Sequence, residues 1–484
     1  MSQIVSPPEP AQATLRPLCV DLDGTLVKSD TLVDSLLVLL RKHPMLALAL
    51  PGKLLRGKAA FKAFVTESIT LDVESLPYNR KLLHFLKEQH SLGRPLYLAT
   101  GADVVLARRV AAHLGIFSGV LGSDGATNLT GNKKLDGLRT HLGSAAFDYV
   151  GNATPDLPLL AHATEAMVAN PSLGLRGKLR TRGIKPVREF NEHRNPLVSL
   201  VRAMRPHQWA KNLLMFLPTL LAHNFTIPAL LPALLAFVCF SLTASATYIV
   251  NDLLDLETDR HHHSKRNRPF AAGDLSPLWG AVLSAVFLLV AFLGARFLPL
   301  AFYGWLAFYL VATLVYSLYL KKIPLLDVLT LSGLYTLRLL AGSAASGAHI
   351  SHWLGGFSIF LFFSLAIVKR FAELENLRVK GTLPKNGRGY LVDDLEQLRS
   401  FGTASAFSAV VIFSIYISNN DVSKLYRHAT LLWMILPFML LWLCRVWLLA
   451  SRGKLQEDPV VFALTDVMSL LIGAAIACVV LLAL

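Results

Sequence analysis

The sequence predicts two fold classes in one chain: a soluble α/β domain with a helical insertion over residues 15–172, then an all-α bundle of about nine membrane spans over 205–484. Three observations predict this. Long apolar runs begin near residue 210 and recur to the end, whereas residues before 195 mix charge and hydrophobicity as a soluble domain does. Short apolar stretches at 17–20, 96–99 and 147–150 each run into a polar or glycine-containing turn, the pattern of buried strands. Basic residues in the apolar half concentrate in alternate loops, as the positive-inside rule requires of a multi-pass membrane protein.

The chain has 484 residues, 53% of them hydrophobic, with a formal net charge of +15 and a mean hydropathy of +0.48. In a soluble protein such a charge points to nucleic acid. Here the loop asymmetry accounts for it, and no nucleic-acid partner is expected. Cys19, Cys239, Cys444 and Cys478 are scattered and form no CxxC pair, so a reducing, cytoplasmic setting is expected for the α/β domain. Residues 1–12 are polar and proline-rich, with no signal-peptide core expected there.

The first strand, at Leu18-Cys19-Val20, delivers Asp21-Leu22-Asp23-Gly24-Thr25. Two carboxylates two residues apart at a strand end suit phosphoryl chemistry: Asp21 attacks phosphorus, Asp23 protonates the leaving oxygen, and Mg²⁺ joins them. This Asp-x-Asp-Gly-Thr motif resembles the haloacid dehalogenase superfamily, over about residues 15–172. The resemblance implies a Rossmann-like α/β domain in which Thr100 binds phosphate and Lys134, with Lys133 as a substitute, neutralises it. It also implies Mg²⁺ ligation by Asp21, Asp23, Asn152 and Asp156. Asn152 stands where the family often has aspartate, which lowers the charge of the site and its affinity for Mg²⁺. Residues 31–92 alternate helical patterns with basic residues and are expected as a helical cap. Residues 173–204 are expected as a basic linker lying on anionic headgroups.

Nine candidate spans follow, at roughly 209–223, 228–250, 278–295, 299–319, 325–344, 353–369, 401–418, 428–449 and 462–484. With the α/β domain cytoplasmic, the loops on its side hold Arg260, Lys265, Arg266, Arg268, Lys321, Lys322, Arg370, Arg378, Lys380, Lys385, Arg388, Arg399, Arg452 and Lys454. The other side holds little beyond Arg296, Lys424 and Arg427. A bacterial-type inner membrane location with cytoplasmic active sites is expected.

The second span runs into Asn251-Asp252-Leu253-Leu254-Asp255-Leu256-Glu257-Thr258-Asp259, then Arg260-His261-His262-His263-Ser264-Lys265-Arg266-Asn267-Arg268-Pro269. On a helix, Asp252, Asp255 and Asp259 step by three and four residues, so their carboxylates are expected on one face. Carboxylates at a membrane edge call for a cation, and Mg²⁺ prefers a few carboxylates plus substrate phosphates. The three adjacent histidines alternate in direction and read as a solvated loop. Further along, Asp327 and Arg338 are either functional or a buried ion pair. Lys369 and Arg370 end a span, where snorkelling to the interface competes with function.

The Asn-Asp-x-x-Asp-x-x-x-Asp motif and the basic Arg-x-Arg-Pro run resemble the first signature of the UbiA superfamily of intramembrane prenyltransferases, over about 200–484. Within it, Asp259-Arg260-x-His262-x-x-Lys265-Arg266-x-Arg268-Pro269, Arg205-Pro206-x-Gln208-Trp209-x-Lys211-Asn212 and Asp458-Pro459-Val460 resemble the polyprenyl-phosphate phosphoribosyltransferases. That branch usually has proline where His263 stands. The resemblance implies nine helices around a cavity and Mg²⁺ on Asp252, Asp255 and Asp259. It further implies donor or acceptor phosphates held by Lys211, Asn251, Arg260, Lys265, Arg266, Arg268, Asp327, Arg338 and Lys369. Aromatic prenyltransferases carry a second Asp-x-x-x-Asp motif; here Leu331 follows Asp327 by four residues, which favours the phosphoribosyl branch. The expected reaction is Mg²⁺-dependent transfer of 5-phosphoribose from phosphoribosyl pyrophosphate to a polyprenyl phosphate, with removal of the 5-phosphate by the α/β domain. The alternative is prenyl transfer to an aromatic acceptor beside an inactive α/β domain. A transporter is disfavoured because no inverted repeat is visible. The sequence leaves the oligomeric state open.

Overall fold

The computed structural model describes residues 15–143, 145–192, 194–379, 388–455 and 459–484. Residues 1–12, Lys380, Lys385 and Asp458, which entered the sequence reading, lie outside these. Two compact units divide the chain, one ending at Met204 but taking in Ile249–Leu283, the other made of Arg205–Tyr248 and Ser284–Leu484.

The first unit contains, in chain order, β1 (Leu18–Val20), α1 (Thr31–Lys42), α2 (Leu50–Leu55), α3 (Lys58–Ser68), α4 (Arg80–Ser91), β2 (Leu96–Asp103), α5 (Val104–Leu114), β3 (Gly119–Ser123), α6 (Asn132–Leu142), β4 (Asp148–Gly151), α7 (Leu157–His162), β5 (Ala166–Val168), α8 (Leu173–Thr181), β6 (Arg188–Glu189) and α9 (Pro196–Met204). The strands form one sheet in the order β3-β2-β1-β4-β5-β6, with every pairing parallel. β1 is central: Leu18 faces Leu96 of β2 on one side and Asp148 of β4 on the other. The crossovers leave β1 in opposite directions, and the carboxyl ends of strands at such a reversal are where open α/β sheets bind ligands.

Alternation along β1 builds two cores. Leu18 and Val20 join Leu39, Phe85, Leu86 and Val110 on one face, while Cys19 joins Leu135, Leu138, Leu157 and Leu175 on the other. The expected helical insertion is present as α1 to α4. Two expectations need correction. β2 does not end before Thr100 but continues to Asp103. Residues 173–190 are not linker: α8 buries Leu175 and Leu179 in the second core, and β6 pairs with β5. The basic residues of this stretch ride on the outward face of an amphipathic helix, which hides its apolar stripe in a reading by charge alone.

The remaining helices are α10 (Leu217–Leu221), α11 (Ile227–Leu254), α12 (Leu256–His261), α13 (Pro277–Ala295), α14 (Leu300–Leu318), α15 (Leu326–Ser346), α16 (His352–Val379), α17 (Leu395–Ile417), α18 (Asn420–Ser423), α19 (Ile435–Ser451), α20 (Pro459–Thr465) and α21 (Val467–Ala483). Among the described residues seven helices are long and apolar enough to cross a bilayer: α11, α13, α14, α15, α16, and α17 and α19 with the short turns before them. The chain is thus a multi-pass membrane protein, with two fewer such helices than expected. The stretch 209–223 forms tight 3₁₀ turns over Pro206–Phe216 and then the five-residue α10. The last stretch is divided at Asp466, whose side chain accepts the Ser469 N–H and caps α21, leaving 17 residues in it. In the second unit α15 and α16 bury more than half of their spans and α13 and α14 less than a quarter. Asp327 and Arg338 of α15 and Ser364 and Arg370 of α16 are buried inside the bundle.

Candidate functional sites

At the carboxyl end of β1, Asp21 lies 6% exposed and accepts hydrogen bonds from Lys134 Nζ (2.8 Å) and Thr25 Oγ1 (3.2 Å). Lys134 also donates to Asp156 Oδ1 (3.0 Å) and to the Tyr149 hydroxyl (3.0 Å). Asp156 Oδ2 accepts the backbone N–H groups of Asn152 and Ala153. Lys133 is exposed, so Lys134 alone meets the carboxylates. Burial pushes Asp21 up to about 6 against the pull of Lys134, whose own ammonium the two carboxylates hold well above its usual range.

Asp23 accepts the Thr31 N–H at 2.8 Å, the first amide of α1. Burial, reinforced by Asp30 and then Asp21, pushes its carboxyl up to about 8. Gly24, at φ +73°, lets this turn pass against Asn152: a Cβ there would stand 1.9 Å from Asn152 Nδ2. Thr100 is buried, and its hydroxyl accepts the Ala102 N–H at 3.0 Å. A cleft bordered by Asp23, Asp30, Thr31, Lys62, Thr66 and Asp103 opens beside the acid. Lys62, from α3 of the inserted helices, is held there by the Gly101 carbonyl (2.6 Å) and Asn128 (2.8 Å), and burial pushes its ammonium down.

The second centre is the acidic stretch at the end of α11. One nitrogen, Arg268 Nη1, donates to Asp252 Oδ1 (3.0 Å) and to Asp259 Oδ2 (2.6 Å). Both carboxylates are 2% exposed, and burial raises Asp259 against the pull of Arg268. Asp255 departs from the shared face expected of the three: α11 ends at Leu254, α12 begins at Leu256, and Asp255 at the break pairs with Arg41 of α1 (3.4 Å). Asp252 and Asp259 meet across the break on Arg268, while Asp255 is turned to Arg41. Asn251 sits half-buried in the last turn of α11, Lys265 is half-buried and Arg266 exposed. Arg260 is turned to Asp34 Oδ2 (2.9 Å), Ser29 Oγ (3.2 Å) and the Ala271 carbonyl. His261 pairs with Asp72.

Among the described residues no group of three or more His, Cys, Asp and Glu side chains is placed to hold a metal ion. The pairs present do suit a cation. Asp252 and Asp259 already converge on one positive nitrogen, and Mg²⁺ typically takes one or two carboxylates and completes its shell with substrate phosphate and water. Burial raises both Asp21 and Asp23, with repulsion from Asp156 added on the first and from Asp30 and Asp21 on the second, and a bound cation relieves both effects.

In the second unit the polar residues separate into two clusters. Asp327 and Arg338 are not paired. Asp327 is bound by Arg370 through both Nε and Nη2 (the latter 2.9 Å to Oδ1) and by the Tyr316 hydroxyl (2.8 Å). Arg370 reaches Glu373 (2.9 Å), as does Arg388 (3.0 Å). At 2% exposure Arg370 is buried, not snorkelling. Arg338 donates to Asn212 Oδ1 (2.8 Å), the Leu334 carbonyl and the Tyr309 hydroxyl (3.2 Å). Lys211 Nζ lies over the Tyr335 ring at 5.6 Å, and Lys369 is half-buried beside Arg370. The sequence reading passed over Tyr149, Arg41, Arg370 and Tyr316 as site residues. Only Arg370 carried a signal, as a charge at the end of an apolar run.

The sequence profile described as the UbiA prenyltransferase family matches residues 212–472. The uncharacterized protein y4nM of Sinorhizobium fredii is 36% identical over 465 residues, 95% of this chain and 90% of that one. The decaprenyl-phosphate phosphoribosyltransferase of Mycobacterium tuberculosis strain H37Rv is 35% identical over 237 residues, 47% of this chain and 76% of that protein. Among solved structures, a UbiA homolog from Archaeoglobus fulgidus bound to DMAPP and Mg²⁺ aligns with a TM-score of 0.45 at 18% identity, covering 58% of this chain and 98% of that one. With the profile spanning more than half of its length and carrying the acidic stretch at the end of α11, the chain belongs to the UbiA prenyltransferase family and is a membrane transferase.

Proposed function

We propose that the chain transfers 5-phosphoribose from phosphoribosyl pyrophosphate to a polyprenyl phosphate, and that its α/β domain then removes the 5-phosphate. The observation that carries the first step is the state of Asp327. It is bound by Arg370 through two nitrogens and has Leu331, not a carboxylate, one turn on. One acidic cluster, Asp252 with Asp259, and no second carboxylate one turn after Asp327 suits a donor other than a prenyl diphosphate held between two acidic motifs. The mycobacterial relative, named for decaprenyl phosphate and phosphoribosyl transfer, supports the same acceptor.

Mg²⁺ on Asp252, Asp259 and the donor diphosphate would neutralise charge on the leaving group. Arg268, already between the two carboxylates, keeps them convergent and would add positive charge beside the phosphates. Lys265 and Arg266 add positive charge at the mouth, and Asn251 offers an amide one turn before the break. Asp255, Lys211, Arg338 and Lys369 remain candidates for donor or acceptor contacts. The acceptor phosphate is anionic, so attack on the anomeric carbon needs no strong base.

In the α/β domain Asp21 Oδ attacks the 5-phosphorus, and Asp23 gives its proton to the departing ribose oxygen. Water then cleaves the aspartyl phosphate, returning a proton to Asp23 and releasing inorganic phosphate. Lys134 offsets the charge of Asp21 and of the incoming phosphate, Thr100 is the candidate phosphate-binding hydroxyl, and Asn152 and Asp156 would join Asp21 and Asp23 in holding Mg²⁺.

The test is a two-substrate assay on the purified full-length protein, with Mg²⁺, polyprenyl phosphate and labelled phosphoribosyl pyrophosphate. Wild type is expected to yield a ribosyl lipid and Asp21→Asn a phosphoribosyl lipid. Absence of labelled lipid from both, with transfer from a prenyl diphosphate to an aromatic acceptor, returns the chain to prenyl transfer.

A further inference from the structure

Helix α1 lies along the stretch that carries the transferase motif, inside one compact unit. Its Arg41 makes three contacts across the break between α11 and α12. Nη1 donates to the Leu254 carbonyl (3.0 Å), which the break leaves at a helix end, and to the Thr258 hydroxyl in the first turn of α12 (2.8 Å). Nη2 stands 3.4 Å from Asp255 Oδ1. Lys42 adds an ion pair to Glu257 (2.9 Å). Further contacts prevent this from being one chance surface pair. Arg260 is buried against Asp34 and Ser29, Lys28 reaches Asp274 (3.6 Å), and Gly273, at φ +72°, packs so closely that a Cβ would stand 2.8 Å from Lys28 Cβ.

A helix break exposes a carbonyl and loosens the residue next to it. A guanidinium is a planar fork of fixed N–H directions, able to satisfy acceptors on both sides of a break at once, which an ammonium on a flexible stem does not do equally well. We infer that Arg41, a residue of the α/β domain, is a positioning residue for the transferase: it splints the break between the two helices that carry Asp252 and Asp259 and so keeps those carboxylates convergent for the donor diphosphate. The α/β domain then serves transfer as well as hydrolysis. The same helix gives its first amide to Asp23, so one rigid element of 12 residues borders both centres. This inference rests on the donor site proposed above.

The experiment has two readouts on the full-length chain. In the substrate-free protein, amide exchange over 255–262 is expected to rise about tenfold in Arg41→Gln, since a hydrogen bond to a charged group is lost at a local opening. In the transfer assay the KM for phosphoribosyl pyrophosphate is expected to rise about tenfold, with the KM for polyprenyl phosphate within about twofold of wild type. Arg41→Lys should recover only part of both. Thr258→Val removes one acceptor without changing charge and should move both readouts the same way by about half as much on a logarithmic scale; if Arg41→Gln does not fold, it decides alone. Unchanged exchange in Arg41→Gln, or in Thr258→Val when that variant decides alone, overturns the inference, as does an equal rise in both KM values or full recovery by lysine. A wild type inactive toward phosphoribosyl pyrophosphate refutes the proposed donor while the exchange result still reads the splint.

Discussion

Arg370 on α16 and Asp327 at the start of α15, 43 residues apart, are joined by two hydrogen bonds inside the helical bundle, with exposures of 2% and 0%. Removing Asp327 takes two hydrogen bonds from a buried guanidinium and leaves it with Glu373 and the Tyr316 hydroxyl. Asp327→Leu is expected to cost about 3–5 kcal/mol and to lower the melting temperature in detergent steeply, while the double variant Asp327→Leu/Arg370→Met recovers much of the loss. Thermal melts of the three proteins check this, and a single variant as stable as wild type contradicts it.

The same logic applies to Asp34 and Arg260. Asp34→Ala leaves Arg260, 8% exposed, with Ser29 and one carbonyl as its remaining polar contacts among those found here. A loss of about 3 kcal/mol or more is expected, together with faster tryptic cleavage after Lys265 and Arg266. Arg260→Met, which removes the charge and keeps the length, should be milder. Equal losses in both would contradict the stranded charge as the cause.

Asp23 makes stability depend on pH and on Mg²⁺. Its folded value of about 8 exceeds the ordinary carboxylate value near 4, so the folded state holds the proton more tightly. Stability from this group is complete below about pH 4 and is lost as pH rises through about 8. A cation that binds the ionised pair reverses the loss. The melting temperature should therefore rise more on adding Mg²⁺ at pH 8 than at pH 5, and Asp23→Asn should flatten that difference. A Mg²⁺ effect independent of pH in wild type counts against the assignment.

Gly24→Ala introduces a Cβ where Asn152 already stands, at a φ of +73°. Hydrolysis by the α/β domain is expected to fall at least about a hundredfold, because displacement near 1 Å at a reacting centre has effects of that size. Transfer continues, so a phosphoribosyl lipid accumulates. Mass analysis of the lipid products distinguishes this from a loss of both steps.

Arg268→Gln takes the shared nitrogen from between Asp252 and Asp259. Two buried carboxylates then repel each other with no cation between them, so the variant should need less Mg²⁺ for half-maximal transfer, while the loss of a guanidinium beside the phosphates raises the KM for the donor about tenfold. A Mg²⁺ requirement equal to that of wild type would place Arg268 outside the donor site.

Residue order alone determined the division into an α/β domain and an apolar helical half. Burial of short apolar strands and of long apolar helices follows from local composition and period. It also determined the placement of Asp21 and Asp23 together at a strand end, because that depends on spacing along one element, whereas Asp252 and Asp259 lie on either side of a helix break and share Arg268. Only tertiary structure decided the partners. Lys134 rather than Lys133 meets Asp21 because helical phase and packing choose which side chain is buried. Arg370 rather than Arg338 meets Asp327 because two helices far apart in sequence pack together. Asp255 leaves the shared face because α11 breaks there and Arg41 spans the break, a contact 213 residues long in sequence. Long-range ion pairs of this kind depend on where chains cross, which no local pattern encodes.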